Sequence, residues 1–144
     1  MVSDRLWFDG FECLRIADVR VIRPDPYTAF AEAALKKRGE RIPKNPRVSL
    51  DGIEELLLSA SRAFPLVTIH REQVDPDVCN IGRVVAMDRG RLSLLEINPA
   101  ATWDTVPNAY RTSEITRVDF GGDYENALHL VGGRPPLPAK ARRR

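Results

Sequence analysis

Two stretches of the chain, residues 7–21 (WFDGFECLRIADVRV) and residues 103–120 (WDTVPNAYRTSEITRVDF), resemble one another. In each, a tryptophan leads to an aromatic residue, then to an isoleucine and to a valine three residues later. A helix signal follows each stretch and begins near Asp25 or Asp123. A repeated pattern of this kind constrains the architecture of the whole chain. The sequence therefore predicts a strand–turn–strand–helix unit that occurs twice.

One helix and five strands account for the apolar pattern from residue 51 to residue 120. The helix is predicted over residues 51–63, with Asp51 and Glu54 as a capping box and an apolar stripe that includes Leu56 and Leu57. Short strands protect their edges by curling into a small barrel. We therefore expect an α+β, mainly β domain: a helix and then a five-stranded antiparallel barrel closed on itself. Its strands are predicted at residues 66–72, 81–87, 92–97, 109–112 and 115–120.

The N-terminal segment has strand spacing at residues 5–8, 11–15 and 18–23, and Asp9-Gly10 is a hairpin signal between the first two. A helix is predicted after Asp25, with an apolar face of Tyr27, Phe30, Ala31, Ala34 and Leu35. A last helix is predicted over residues 123–130, with Tyr124, Ala127, Leu128 and Val131 inward.

These elements divide the chain into four segments. Residues 1–39 form a partial repeat of strands and a helix, and residues 40–50 form a linker with two prolines and no periodicity. Residues 51–132 form the barrel domain with its C-terminal helix. Residues 133–144 are predicted to be a disordered basic tail.

The stretch IGRVVAMDRGRLSLLEI, residues 81–97, resembles the second and third strands of the Sm-like small β-barrel, a family with an SH3-like barrel. Gly82 matches the bend glycine, and residues 115–118 are similar to the closing strand. The resemblance implies rings in which the fourth strand of one subunit pairs with the fifth of the next, and loops that bind single-stranded RNA. The turn at Arg89 and Arg91 lacks the family's asparagine, and residues 112–114 lack its Arg-Gly dipeptide. Residues 5–23 resemble the last strands of another such barrel.

Charge is distributed unevenly along the 144 residues. The net charge is +2, but the last twelve residues carry five basic and no acidic side chains, which leaves 17 basic and 20 acidic residues before them. We therefore expect nucleic-acid binding, if any, to be weak and to depend on the tail. The predicted contacts are Arg89, Arg91, Arg134, Lys140, Arg142, Arg143 and Arg144.

Composition and chemistry-bearing residues point away from several classes of protein. There is no apolar run of the length that a membrane helix needs and no signal peptide, so a cytoplasmic protein without membrane contact is expected. Cys13 and Cys79 have no metal or disulfide spacing and are predicted to be reduced thiols. His70 and Glu72 share a strand face, but the pattern contains no third ligand. We predict no catalytic residue, metal or cofactor.

These observations predict a non-enzymatic binding or assembly module, built on an Sm-like barrel, that forms a homo-oligomer. Two alternatives stay open. One is an RNA-binding Sm-like ring protein that uses the basic tail, and the other is a small hydrolase or metal enzyme centred on His70.

Overall fold

The computed structural model describes residues 1–136 and has an α+β fold, as predicted. One antiparallel sheet of six strands carries three helices. The strands are β1 (Phe11–Leu14), β2 (Val67–His70), β3 (Cys79–Asp88), β4 (Arg91–Glu96), β5 (Asn108–Arg111) and β6 (Arg117–Phe120). The helices are α1 (Thr28–Lys37), α2 (Ile53–Ala63) and α3 (Asp123–Gly132). Two short 3-10 turns lie at Ile16–Asp18 and Thr112–Glu114.

The sheet is open, and its strand order is β1-β6-β2-β3-β4-β5. The prediction of a five-stranded sheet closed on itself is therefore not confirmed. Closure would require β6 to pair with β5, but the edge of β6 that faces away from β2 is occupied by β1. In this pairing Phe11 lies opposite Phe120 and Leu14 lies opposite Arg117.

The core lies between one face of the sheet and α2. Val67 and Ile69 of β2 point to this face, and so do Val118 and Phe120 of β6, because strand side chains alternate between faces. The predicted stripe of α2 packs against them and buries Leu56, Leu57 and Ala60. This helix and all five predicted C-terminal strands are present, with ends shifted by a few residues.

The predicted capping box of α2 is wrong. Gly52 is the N-cap, and no side chain caps the helix. The Glu54 carboxylate instead accepts a hydrogen bond from the Gly90 N–H at 2.9 Å. This contact ties the start of α2 to the turn between β3 and β4.

Gly82 is the residue at which β3 changes partner. Residues 79–82 of β3 pair with β2, and the strand pairs with β4 from Gly82 onward. A Cβ atom on Gly82 would lie 2.2 Å from the carbonyl oxygen of Leu95 and 2.9 Å from the Cα of Glu96. Glycine is needed here because two backbones approach more closely than any side chain allows.

The N-terminal segment differs from its prediction. Residues 5–8 and 18–23 are not strands, and Asp9-Gly10 does not join a hairpin. Gly10 has a φ of +67° and leads the chain into β1, while the Asp9 carboxylate accepts a hydrogen bond from the Asp123 N–H at 2.7 Å. β1 pairs with β6 over all four of its residues instead of forming the local hairpin.

The apolar faces predicted for α1 and α3 are confirmed only at Leu35 and Leu128. Tyr27 and Phe30 are exposed, and Leu35 is the buried residue of α1. In α3, Tyr124 and Val131 are exposed, and the buried residues are Glu125 and Leu128. Leu128 packs against Leu66 and Ile97. The position in which α3 packs against Leu66 and Ile97 decides which of its faces is buried, and the spacing of its apolar residues does not.

We predict that Gly82→Ala destabilises the protein by about 1–3 kcal/mol, because the added methyl group meets backbone atoms that cannot move aside. Urea unfolding measures the change. Gly52→Ala is the matched control, because its Cβ would meet only the flexible carboxylate of Glu55. Equal effects of the two substitutions would contradict this account of β3.

Candidate functional site

Two segments of the chain, each a strand followed by a 3-10 turn, have the same local backbone. β1 leads into the turn Ile16–Asp18, and β5 leads into the turn Thr112–Glu114. The residues that precede the turns, Arg15 and Arg111, have φ/ψ of −72°/117° and −77°/125°. The residues that follow, Val19 and Ile115, have −78°/110° and −78°/121°. The match of the two turns and of the residues on either side of them relates residues 96 positions apart.

The structural correspondence differs from the one read in the sequence. The sequence pattern matches Ile16 to Ile115, whereas the turns match Ile16 to Thr112 and Val19 to Ile115. The sequence match was three residues out of register because it followed residue type. The turn geometry is the better guide, since a 3-10 turn leaves only one way to align the strands on either side of it.

The two segments are the two edge strands of the sheet. Within residues 1–136, β1 pairs only with β6 and β5 pairs only with β4. The Thr112 N–H donates to the Gly90 carbonyl at 2.9 Å, directly beyond the β4–β5 ladder. Because backbone groups alternate between the two sides of a strand, Tyr110 and Asn108 bond to β4. The N–H and C=O groups of Arg111 and Ala109 therefore face the open edge.

β5 is held firmly although it is an edge strand. The Glu96 carboxylate accepts hydrogen bonds from the Tyr110 hydroxyl and from the Asn108 amide, the latter at 2.9 Å. Burial, and next the hydrogen bond to Glu96, raise the pKa of Tyr110, so the hydroxyl remains a donor. The Arg71 guanidinium lies 4.9 Å from the centre of the Tyr110 ring. The open edge is thus a rigid surface.

Residues 19–23 follow the first turn and lie outside the sheet. The side chains of Val21 and Ile22 are 64% and 87% exposed. Within the described chain, residues 20–24 have no backbone hydrogen bond to another segment. By the 96-residue correspondence, Val21 and Ile22 match Arg117 and Val118 of β6, which are paired on both sides.

His70, the residue singled out in the sequence, belongs to a polar cluster on the face of the sheet opposite the core. Its Nε2 lies 2.9 Å from the Asp119 carboxylate and 3.0 Å from an Arg117 nitrogen. The imidazole therefore donates to Asp119 when Nε2 is protonated and accepts from Arg117 when it is not. The contacts of His70 with Asp119 and Arg117 were not predicted from the sequence, because they join two neighbouring strands that are far apart in the chain.

Arg117 extends this cluster to three strands. It lies 3.2 Å from Asp119 on β6, 3.7 Å from Glu72 just after β2, and 4.0 Å from Glu12 on β1. The Thr116 hydroxyl donates to the Glu72 carboxylate at 2.9 Å. One guanidinium thereby links β1, β6 and β2, which is a structural task.

An exposed thiol lies beside this cluster. Cys79 is exposed and lies opposite His70 in the β2–β3 register, so a thiol, an imidazole and a carboxylate share one region. Two clefts of about 640 and 810 Å³ lie elsewhere, at the β1–β6–α2 junction and beside α1, and neither is lined by His70 or Cys79. No group of three metal-ligating side chains occurs in residues 1–136. Cys13 is half-buried, and burial raises its pKa, which suppresses the reactive thiolate.

The predicted basic contacts are spread over the chain. Arg89 lies in the turn between β3 and β4, and Arg91 lies directly opposite Arg111 in the β4–β5 register. Like charges at opposite positions are unfavourable unless an anion compensates them. Arg134 is exposed after α3. Lys140, Arg142, Arg143 and Arg144 lie outside the described residues.

Comparison with protein-family models, with curated proteins and with solved structures finds no match. Among residues 1–136, no helix combines the length and the apolar character that crossing a bilayer demands. The function must therefore be argued from the chain's own geometry.

We predict that Asp119→Ala destabilises the protein by about 1–3 kcal/mol, because it leaves Arg117 and His70 without their shared acceptor. Thermal and urea unfolding measure the loss. Glu72→Ala is the control: its side chain is 46% exposed, so its ion pair contributes about 0–1 kcal/mol. Unchanged stability of Asp119→Ala would argue that the cluster serves something other than the fold.

Proposed function

We propose that this protein is a non-enzymatic assembly module that offers the free edge of β5 to another polypeptide strand. The observation that carries the proposal is the outer edge of β5, a strand that side-chain hydrogen bonds to Glu96 hold in place. β1 and β5 are the two edge strands of the sheet, and on β5 the backbone groups of Ala109 and Arg111 face outward with no partner strand in residues 1–136. An exposed row of such groups is a template for strand addition.

The character of β5 supports this role. Proteins protect an edge strand by keeping it short, with charged side chains or proline, or with a bulge or a covering element. β5 is short and carries the charge of Arg111, but residues 108–111 contain neither lysine nor proline, and their ladder with β4 is regular. The hydrogen bonds to Glu96 fix the strand before any partner arrives, which reduces the entropy lost on binding.

An Sm-like architecture is the form of this proposal that the resemblance suggests. The strands β2 to β6 follow a helix, as in that family, and β3 passes from one partner to the next at Gly82. On this view β5 and β6 correspond to the fourth and fifth strands, through which the resemblance implies subunit pairing. β1 then stands where the fourth strand of a neighbour would be.

We predict that the protein self-associates at micromolar concentration through β5. Light scattering then reports a mass above the 16.2 kDa of one chain. Ala109→Lys weakens association, because it places a charge on the open edge. Ala100→Lys, an equally exposed alanine in a turn, leaves association unchanged. A single-chain mass at all concentrations would contradict the proposal, and so would association that is indifferent to Ala109→Lys.

RNA binding is the second candidate, and the juxtaposition of Arg91 and Arg111 favours it. Two guanidinium groups at opposite positions of the β4–β5 ladder form a place where a phosphate would relieve repulsion. The acidic balance of residues 1–132 opposes strong binding. Five basic groups in the tail therefore remain the main expected contact.

We predict that single-stranded RNA binds weakly, with an affinity that falls roughly several-fold to a hundredfold between low and physiological salt. Deletion of residues 134–144 abolishes binding, whereas Arg91→Ala with Arg111→Ala leaves most of it. Fluorescence titration of the two variants and the full chain measures this. Binding that survives the deletion and disappears in the double variant would place RNA on the β4–β5 edge.

The enzyme alternative centred on His70 has the weakest support. The imidazole Nε2 has a hydrogen-bond partner whether or not it carries the proton, and His70 lines neither the cleft at the β1–β6–α2 junction nor the cleft beside α1. Its neighbours are engaged in holding strands together.

A further inference from the structure

We propose that the strand that pairs with the open edge of β5 is residues 20–23 of a second copy of this chain, in antiparallel orientation. The inference deepens the proposed function and rests on it, since it names the partner of the same edge. It assigns a role to an exposed apolar segment that the fold of a single chain does not use.

The pairing of β1 with β6 inside the chain is the precedent. β1 with its turn has the backbone of β5 with its turn, so β5 presents the same shape to a partner as β1 does. The partner of β1 is β6, which follows the second turn by two residues. The segment that stands in the same relation to the first turn is residues 21–24, and the four residues that this places opposite β5 are residues 20–23.

The register follows from the 96-residue correspondence. Each β1 residue is replaced by the β5 residue 96 positions later, and each β6 residue by the residue 96 positions earlier. The pair Leu14–Arg117 then predicts Tyr110 opposite Val21. The pair Cys13–Val118 predicts Ala109 opposite Ile22. An aromatic residue opposite a β-branched residue is a favourable cross-strand pair.

The direction of the backbone groups gives an independent check. The Arg15 N–H donates to the Thr116 carbonyl at 3.2 Å, so Arg15 and Cys13 bond to β6. Their equivalents are Arg111 and Ala109, and these are the two residues whose backbone groups face the open edge of β5. The register was derived from the β1–β6 pairing and the 96-residue correspondence. The β4–β5 ladder leaves unpaired the N–H and C=O groups of Ala109 and Arg111, which are the groups that this register needs.

The donor segment, residues 20–23, is free to pair with another strand, as the open edge of β5 is. Val21 and Ile22 are mostly exposed, and residues 20–24 make no backbone hydrogen bond to another segment of the described chain. Pro24 ends the segment, just as a strand of about four residues requires. Pairing buries both apolar side chains against the edge and satisfies backbone groups on both sides.

Charge modulates the pairing at its two ends. The register places Arg23 opposite Asn108, whose amide lies 3.5 Å from the Asp104 carboxylate. Arg23 of one copy thus comes near the Asp104 carboxylate of the other, and these opposite charges attract. At the other end Arg20 lies opposite Arg111, which is a repulsive pair. Because the donor segment and the edge are different surfaces, the contact is head-to-tail and continues into a ring or a filament.

Proline substitutions test the donor segment without touching the sheet. In the proposed register the Ile22 N–H donates to the Ala109 carbonyl, so Ile22→Pro raises the concentration of half-association by about tenfold or more. Ile42→Pro is the matched control, an equally exposed isoleucine in residues 40–50, and leaves association unchanged. Arg20→Glu, which turns repulsion by Arg111 into attraction, strengthens association.

A disulfide trap tests the register directly. In the Cys79→Ser background, Ile22→Cys and Ala109→Cys chains are oxidised separately and as a mixture. A cross-linked dimer is expected predominantly in the mixture, because the two positions face one another only between copies. Association that depends on Ala109 but is unchanged by Ile22→Pro, or an Ala109→Cys chain that cross-links to itself, would overturn this inference and leave the assembly module standing. Absence of association altogether would overturn both.

Discussion

The two-sided pairing of β6 is the constraint on which the rest of the structure depends. β6 lies between β1, which comes from the start of the chain, and β2, which follows α2. Its inward side chains, Val118 and Phe120, are almost fully buried, and Phe120 contacts the rings of Phe11 and Phe64. The N-terminal segment is therefore part of the domain, because it completes the cover of this aromatic cluster.

The polar face of the same three strands is organised around Arg117. Its guanidinium has carboxylates from β1, β6 and the end of β2 within 4.0 Å. Partly buried ion pairs contribute to stability only when several groups share the geometry, and this cluster has that arrangement. His70 is best understood as one member of it. Its imidazole, which suggested catalysis in the sequence, contacts Asp119 and Arg117 and so helps to hold β2 to β6.

The two edge strands of the sheet are β1 and β5. A sheet that does not close leaves backbone groups of its edge strands in water and open to pairing. β1 covers β6 but leaves its own outer side without a partner strand in residues 1–136. β5 is fixed to β4 by the hydrogen bonds of Asn108 and Tyr110 to Glu96 as well as by the backbone ladder. The proposed function rests on two features of one chain: the open edge of β5 and the exposed apolar segment at residues 20–23. Together they favour an oligomer over a monomer.

Local pattern determined much of this protein from sequence alone. The period of apolar residues located α2 and the five strands β2 to β6, because burial on one face leaves a period that neighbouring residues carry. The pattern could not tell which strands become neighbours, since a strand's period is the same whatever lies beside it. The placement of β1 on β6 was decided by tertiary structure, and with it the opening of the sheet. The same holds for the buried faces of α1 and α3 and for the approach of Asp119 and Arg117 to His70. These contacts join residues that are far apart in the chain, and their energies appear only once both partners are in place.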